Sequence, residues 1–205
     1  YGMTETNMNI SNPYEGERRA GTVGLPLPGV EVKVCDGTGA EVPRGAVGVI
    51  EVRGPNVFQG YWQMPEKTRE ELRADGFFIT GDLGVMEADG YVSIVGRAKD
   101  LVISGGFNVY PKEVEDLLDA LPGVLESAVI GVPHPDFGEA VVAVVVPRKG
   151  ADLVPEALRA ALSRDLARFK QPKHIEIVAD LPRNTMGKVQ KAVLRERLKG
   201  LFARA

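Results

Sequence analysis

The sequence predicts a mixed α/β and α+β fold in two parts. A small β-barrel-like subdomain is expected over residues 1–98, and a compact α+β domain over residues 99–205. Three observations support this. Short alternating apolar runs separated by glycine and proline fill the first part, which is typical of small barrels and sandwiches. Helical and strand patterns alternate in the second part. The change from the first pattern to the second occurs at a charged segment, Gly96-Arg97-Ala98-Lys99-Asp100, which we take as the domain boundary.

The elements of the first part follow from period-two alternation and turn residues. One helix is expected from Pro65 to Arg73, because proline is tolerated at the first helical position. The predicted strands are Val30–Val34, Val47–Val52, Phe77–Ile79 and Tyr91–Val95.

The second part alternates helices whose apolar residues recur at helical spacing with short apolar strands. The helix from Pro155 to Phe169, for example, carries Leu158, Leu162, Leu166 and Phe169 on one face. The remaining predicted elements are helices 112–121 and 190–201 and strands 101–103, 127–132, 140–146 and 175–177.

Composition excludes several classes of function. The formal charge of −3 and the lack of interleaved aromatic residues argue against nucleic acid, and no apolar run is long enough to span a membrane. Neither His134 nor His174 has a partner at metal-ligand spacing. The single Cys35 excludes an internal disulfide, and no leader is evident, so a reducing, cytoplasmic location is expected. Because the chain begins at Tyr1 without methionine, we expect a fragment of a longer protein.

Two local groups could serve a nucleotide. In Tyr1-Gly2-Met3-Thr4-Glu5, a hydroxyl beside a carboxylate could contact a phosphate and its Mg²⁺. In Phe78-Ile79-Thr80-Gly81-Asp82, a carboxylate just beyond a strand could accept hydrogen bonds from both ribose hydroxyls. From the residues alone, a polar turn and a capping aspartate remain the alternatives.

Two further groups carry positive charge. Arg97 in the charged segment could reach a ribose or phosphate with its rigid fork of donors, although that segment could equally be a solvated turn. Lys188 follows a glycine in a loop ahead of a helix, where its ammonium could meet charge that develops in a transition state. Its surroundings are basic, with nine Lys/Arg against three Asp/Glu over residues 168–199, which also fits an ordinary charged helix face.

The order and spacing of these groups resemble the adenylate-forming acyl-CoA synthetase superfamily. The segments that match its motifs, from one end of the chain to the other, are YGMTE, FFITGD, GRAKDLVISGGFNVYPKEVE and LPRNTMGKVQK. The longer runs TNMNISNPYEGERRAGTVGLPLPG, GPNVFQGYW and VIGVPHPDFGEA are most similar to malonyl-CoA synthetases. The resemblance implies ATP, Mg²⁺ and coenzyme A as cofactors or substrates, and a small carboxylic acid, malonate, as the partner substrate.

For the nucleotide, the resemblance implies a role for five residues. Tyr1 resembles the aromatic residue that stacks on adenine, and Thr4 the threonine that contacts phosphate. Glu5 resembles the Mg²⁺ ligand. Asp82 resembles the aspartate that holds the ribose hydroxyls, and Arg97 the arginine that also contacts the ribose.

For the two half-reactions, the resemblance implies a moving C-terminal lid over residues 99–205 with its hinge at Lys99. Gly105 and Gly106 resemble the loop that lines the pantetheine tunnel. Lys188 resembles the lysine that bridges the acid and the α-phosphate, a position that a lysine acetyltransferase modifies in some members of the superfamily.

The superfamily's phosphate loop, of the form TSGTTGxPKG, does not occur in these 205 residues. We expect it, with most of the acyl pocket, upstream of Tyr1, so the chain alone should not catalyse adenylation. Two other functions stay open at this point. The chain could belong to an adenylation domain that loads a carrier protein, or it could be a lid fragment that only binds nucleotide weakly or serves as an acetylation substrate.

Overall fold

A computed structural model describes residues 1–203, and the last two residues of the predicted second domain lie outside this range. Contacts between backbone segments divide the chain into a first unit, Tyr1–Lys99, and a second unit that begins at Asp100. Both units combine helices with sheets, which confirms the mixed fold class. No helix among the described residues has the length and apolar character needed to cross a bilayer.

The first unit is built on an open, four-stranded antiparallel sheet with the order β5-β6-β7-β8. The sheet does not close into a barrel, so the barrel-like detail of the expectation is wrong. One of its faces packs Val34, Ile50, Val52 and Met86 into a core with Ile10. The elements are β1 (Gly2–Met3), β2 (Asn7–Met8), β3 (Ile10–Ser11), β4 (Leu25–Pro26), β5 (Glu31–Cys35), β6 (Val47–Arg53), α1 (Pro65–Glu71), β7 (Phe78–Met86) and β8 (Val92–Arg97).

The second unit is a five-stranded sheet with the order β10-β9-β12-β11 and with β13 paired in parallel to β12. A short 3₁₀ turn, Ala98–Asp100, precedes it. The elements are β9 (Val102–Ser104), β10 (Phe107–Val109), α2 (Pro111–Asp119), β11 (Val124–His134), β12 (Gly138–Pro147), α3 (Pro155–Leu162), β13 (His174–Ile177) and α4 (Lys191–Leu198).

Strand β12 is apolar on both faces because helices cover both sides of its sheet. Val141, Ala143 and Val145 pack in one core, which includes Leu118 of α2 and Leu162 of α3. The alternate residues Val142, Val144 and Val146 pack in a second core with Leu194 of α4. The continuous run Ala140–Val146 therefore forms the centre of a three-layer arrangement.

Most predicted elements differ from the structure by a few residues at their ends, and two end seven residues away from the predicted position. Helix α3 ends at Leu162 instead of Phe169, and the chain continues in turns in which bonds that span three residues, such as Asp165 N to Leu162 O, interrupt the helical pattern. Leu166 and Phe169 nevertheless pack against the same core, so the apolar spacing outlasts the helix. Strand β7, predicted to end at Ile79, continues to Met86.

Candidate active site

Asp82 lies at a bulge in β7. It is within the strand, whereas the sequence suggested a position just beyond the strand's end. The pairing with β6 passes from Leu83 opposite Val49 to Ile79 opposite Glu51, so β7 carries two extra residues here. Gly81 adopts a φ of 71°, and the Thr80 hydroxyl donates to Ile50 O at 2.8 Å while accepting from Asp82 N at 3.1 Å. Such bulges redirect side chains near functional sites.

The Asp82 carboxylate lies between a phenol and a guanidinium. The Tyr1 hydroxyl donates to Oδ2 at 2.5 Å, and Arg97 Nε approaches Oδ1 at 2.6 Å. Asp82 is only 4% exposed, whereas the Arg97 side chain is 46% exposed. Burial, followed by the hydrogen bond to Asp82, raises the pKa of the Tyr1 phenol. Each carboxylate oxygen can accept a second hydrogen bond, so Asp82 can accept from two vicinal hydroxyls.

Beside this pair, a cavity of about 430 Å³ opens in the first unit. Two carboxylates, Glu5 and Glu71, line it together with Tyr61, Arg97 and Lys99. Acidic oxygens and the arginine that contacts Asp82 therefore line the same cavity. Asp82 contacts Arg97, and neither Asp82 nor Tyr1 lines the cavity itself.

The tyrosine hydroxyl in this cavity contacts both carboxylates. Tyr61 Oη lies 2.5 Å from Glu71 Oε2 and 3.1 Å from Glu5 Oε1. Burial is the main cause of a raised Tyr61 pKa, and the hydrogen bond to Glu71 and the charge of Glu5 add to it. No set of three or more His, Cys, Asp or Glu side chains that could hold a metal occurs in residues 1–203. A small set of carboxylate oxygens nevertheless fits Mg²⁺, which keeps several waters and binds substrate phosphates.

Thr4 and Glu5 lie in the turn between β1 and β2. The two strands approach each other closely, since a Cβ on Gly2 would lie 2.1 Å from Asn7 O. Its position is fixed on the unit by the backbone of Phe58, whose N–H donates to Glu5 O at 2.8 Å. Thr4 is exposed and does not line the cavity.

The glycine pair lies in the second unit, at the tip of the β9–β10 hairpin. Phe107 pairs with Ser104, and Gly105 and Gly106 have φ angles of 59° and 83°. Two positive φ values are what a two-residue type I′ turn requires, which explains the glycines. Gly105 N donates to Phe137 O at 2.9 Å, and the flanking Ile103 is half exposed.

Lys188 ends a tight turn in the second unit. The Asn184 side chain accepts hydrogen bonds from the backbone of Met186 and Lys188, and Arg183 donates to Gly187 O at 2.7 Å. Arg183 is itself paired with Glu126.

The basic residues around this turn differ from Lys188 in having acidic partners. Of the six from Arg183 to Lys199, Lys188 alone lacks a carboxylate within 4.0 Å among residues 1–203. The pairs formed by the other five are Arg183–Glu126, Lys191–Glu115, Arg195–Asp100, Arg197–Glu176 and Lys199–Glu196. The Lys188 ammonium is thus not neutralised by its own unit.

Sequence reasoning assigned no role to Tyr61 and Glu71. Tyr61 is separated from Glu5 by 56 positions, and no periodic pattern connects them. The only available signal was the polar helix α1, which begins four positions after Tyr61, and polar helices are common on protein surfaces.

Comparison with known families decides the relationship. The family described as AMP-binding enzyme matches residues 1–62, and the family described as AMP-binding enzyme C-terminal domain matches residues 113–188. The chain belongs to the AMP-binding enzyme family. The match confirms the adenylate-forming superfamily recognised from the motifs.

Individual members of the family extend the comparison. The structure of ATP-bound MatB from Rhodopseudomonas palustris is 64% identical, with a TM-score of 0.94 over 98% of this chain and 40% of MatB. A sulfoacetate–CoA ligase of Cupriavidus necator is 46% identical over 94% of this chain and 38% of its own length. A long-chain-fatty-acid–CoA ligase of Escherichia coli is 42% identical over 98% of this chain and 36% of its own. The chain thus spans about two fifths of the length of these relatives.

Proposed function

We propose that this chain is the C-terminal part of an ATP-dependent, AMP-forming acyl-CoA synthetase that converts malonate and coenzyme A to malonyl-CoA. The observation that carries the proposal is the Asp82 carboxylate, held between Tyr1 and Arg97 beside a cavity that contains Glu5. A ribose site next to a metal-phosphate site is the arrangement that ATP requires.

Within the first unit, each proposed role uses a specific group. Tyr1 stacks on adenine, Asp82 accepts hydrogen bonds from the ribose hydroxyls, and Arg97 contacts the same ribose. Thr4 contacts phosphate and Glu5 holds Mg²⁺, which neutralises phosphate charge when bound. The exposed Thr4 hydroxyl and the cavity position of Glu5 support these roles.

Lys188 is the proposed catalytic cation of adenylation. When a carboxylate oxygen attacks the α-phosphate, the new C(O)–O–P bond forms as the bond to pyrophosphate breaks. Negative charge accumulates around the reacting oxygens, and an unpaired ammonium stabilises it. The missing acidic partner of Lys188 supports this role. Acetylation would remove the charge, so a lysine acetyltransferase is a proposed regulatory partner.

The hinge at Lys99 and the second unit as a mobile lid, with residues 1–98 completing a larger N-terminal domain, belong to the same proposal. Arg97 is anchored to Asp82 in the first unit, and Asp100 pairs with Arg195 at 2.5 Å in the second. The residues between these anchors, Ala98 and Lys99, can therefore absorb a rotation. A lid that turns could present Lys188 for adenylation and the Gly105–Gly106 turn for thioester formation, in which the pantetheine thiol displaces AMP.

Malonate is proposed on the 64% identity to MatB, a malonyl-CoA synthetase. Sulfoacetate, the acid in the name of another relative, is also a small dianion with one methylene between its two acidic groups. The fatty-acid ligase at 42% identity shows that similarity over this region extends to enzymes for other acids. A cytoplasmic location is proposed as well, supported by the free, buried Cys35.

Acid-dependent exchange between ATP and pyrophosphate tests the proposal. The assay uses the full-length enzyme, meaning a protein that contains this chain together with the family's phosphate-loop region. Malonate is compared with sulfoacetate, methylmalonate, acetate and butyrate. We expect the fastest exchange with malonate and subsequent transfer to coenzyme A in preference to a pantetheinylated carrier protein. Faster exchange with a monocarboxylate would overturn the substrate, and the absence of exchange with every acid would overturn the adenylating function.

A further inference from the structure

Tyr61 is held in place from several directions at once. Its backbone N–H donates to the Thr68 hydroxyl at 2.9 Å, and Phe58 packs edge-on against its ring with a centroid separation of 4.8 Å. The Lys67 ammonium lies 4.5 Å from the centre of the same ring. A side chain fixed at its backbone and over its ring has a hydroxyl in a defined position.

That hydroxyl connects the two carboxylates of the cavity. A phenol has one proton, so it can donate to only one carboxylate at a time. Glu71 Oε2 at 2.5 Å and Glu5 Oε1 at 3.1 Å are therefore alternative acceptors for that one proton. When Tyr61 donates to Glu5 it orients that carboxylate, and Glu71 is the acceptor that competes for the proton.

Glu71 is in turn anchored to the central sheet. It is the last residue of α1, and two positions later Arg73 forms bonds of 2.6 to 2.9 Å to the buried Glu51 carboxylate of β6. Contacts thus run from β6 through Arg73 and the end of α1 to Glu71, Tyr61 and Glu5. A loop residue such as Glu5 gains a fixed orientation from this series.

We propose that Tyr61 is a positioning residue for the divalent cation that accompanies ATP. It donates its proton to one oxygen of Glu5 and leaves the other oxygen to bind the cation, and Glu71 competes for that proton without binding the cation itself. This inference rests on the proposed function, because it requires Glu5 to be a cation ligand. Partners that orient a metal ligand typically change metal affinity about 10- to 100-fold when they are removed.

The experiment measures Mn²⁺ binding in place of Mg²⁺, in the presence of ATP, by the loss of the free-ion signal in electron paramagnetic resonance. It uses the full-length enzyme and needs no turnover. We expect Tyr61→Phe, which keeps the ring contacts, to weaken Mn²⁺ binding about 10-fold. Tyr91→Phe is the matched control, since Tyr91 also donates its hydroxyl within the first unit, to Glu17 O at 2.6 Å, and has Arg19 4.0 Å from its ring centre.

Two substitutions at Glu71 separate positioning from direct ligation. Glu71→Gln keeps an oxygen that can accept from Tyr61, so it should bind Mn²⁺ nearly as the wild type does. Glu71→Ala removes the competing acceptor and leaves the Tyr61 proton to Glu5, so it should not weaken Mn²⁺ binding, and a loss as large as that of Tyr61→Phe would overturn the positioning role. If Glu71→Gln loses as much affinity as Glu5→Gln, Glu71 is a ligand and the positioning role is wrong.

The outcome for Glu5→Gln distinguishes this inference from the proposed function. If Glu5→Gln weakens Mn²⁺ binding and Tyr61→Phe does not, the metal assignment of Glu5 stands and the positioning role is refuted. If Glu5→Gln has no effect, the metal role of Glu5 fails first. Equal losses for Tyr61→Phe and Tyr91→Phe would show a general effect of removing a phenol hydroxyl and would also overturn the inference. If Tyr61→Phe does not fold, Tyr61→Leu removes the same hydroxyl and tests the same connection.

Discussion

The Glu51 carboxylate is the charge whose removal should cost the first unit the most stability. Glu51 lies on β6 with no exposed surface and accepts two bonds from Arg73, at 2.8 Å to Nε and 2.6 Å to Nη2. Lys33 Nζ lies 3.2 Å from the same carboxylate. Glu51→Ala would leave a guanidinium and an ammonium beside each other, and among residues 1–203 Asp75, 3.8 Å from Lys33, is the one remaining carboxylate within 4.0 Å of either.

The magnitude follows from how buried each partner is. Removing one member of a fully buried ion pair costs about 3–5 kcal/mol, because the other charge stays buried without a partner. The side chains of Arg73 and Lys33 keep 30% and 17% of their surface exposed, so water recovers part of that loss. We therefore expect Glu51→Ala to lower the free energy of unfolding by about 2–3 kcal/mol.

A pair on the same sheet supplies a matched control. Glu31 also meets a guanidinium through two bonds, Arg53 Nε at 3.0 Å and Nη2 at 2.6 Å, but its side chain is 61% exposed. Exposed pairs contribute about 0.2–1 kcal/mol, so Glu31→Ala should have a small effect. The two substitutions differ mainly in burial.

Hydrogen exchange measures this effect separately in each unit. Amides of β6 and β7 that exchange by unfolding of the first unit should exchange about 30- to 160-fold faster in Glu51→Ala, the equivalent of 2–3 kcal/mol. Amides of β11 and β12 in the second unit serve as the internal reference. Equal changes for Glu51→Ala and Glu31→Ala would show that burial does not set the energy of this pair, and the reasoning would be wrong.

The remaining predictions concern the two half-reactions of the full-length enzyme. Lys188→Ala should slow adenylation about 10²- to 10³-fold while sparing thioester formation from supplied acyl-adenylate, because only the first step needs the ammonium. Lys149→Ala, at another exposed lysine, is the control, and equal loss of both half-reactions in Lys188→Ala would refute the role. Gly106→Val should do the reverse and reduce thioester formation alone. Gly150→Val is the control, because Gly106 and Gly150 have φ angles of 83° and 81° and neither has an atom within 4 Å of an added Cβ, so both substitutions strain the backbone alike. Unchanged thioester formation in Gly106→Val would exclude the tunnel assignment.

Local patterns predicted the parts of the fold that depend on burial. The apolar run Ala140–Val146 indicated a buried strand, and β12 is buried on both faces. The same patterns gave the wrong helix end where residues stay packed against the core but their backbone no longer forms helical hydrogen bonds. Leu166 and Phe169 keep helical spacing and pack against the core although α3 has ended at Leu162. Apolar spacing reports which side chains are inside, and it does not report which backbone groups bond to each other.

The site was only partly predictable for a related reason. Motifs identified Asp82 and Glu5 as candidates, but the bulge that redirects Asp82 depends on a cross-strand bond from Thr80 to Ile50 O. Tyr61 reaches Glu5 across 56 positions and Glu71 across ten, through a helix that no apolar stripe marks. Contacts of this kind arise from tertiary folding, so a single sequence carries no periodic signal for them.

Some basic residues of the chain are paired with carboxylates and others are not, and this difference matters for the proposed mechanism. Arg97, Arg183 and Arg195 each contact a carboxylate of their own unit, which fixes the backbone on either side of the residues proposed to act. Lys99 and Lys188 lie beside these anchors, and neither has a carboxylate within 4.0 Å in the part of the chain that the structure describes. An ammonium already paired with its own unit would be partly neutralised and would have to break that contact to act elsewhere. Fixed neighbours and an unpaired lysine together give a charge that is positioned and still available to a substrate.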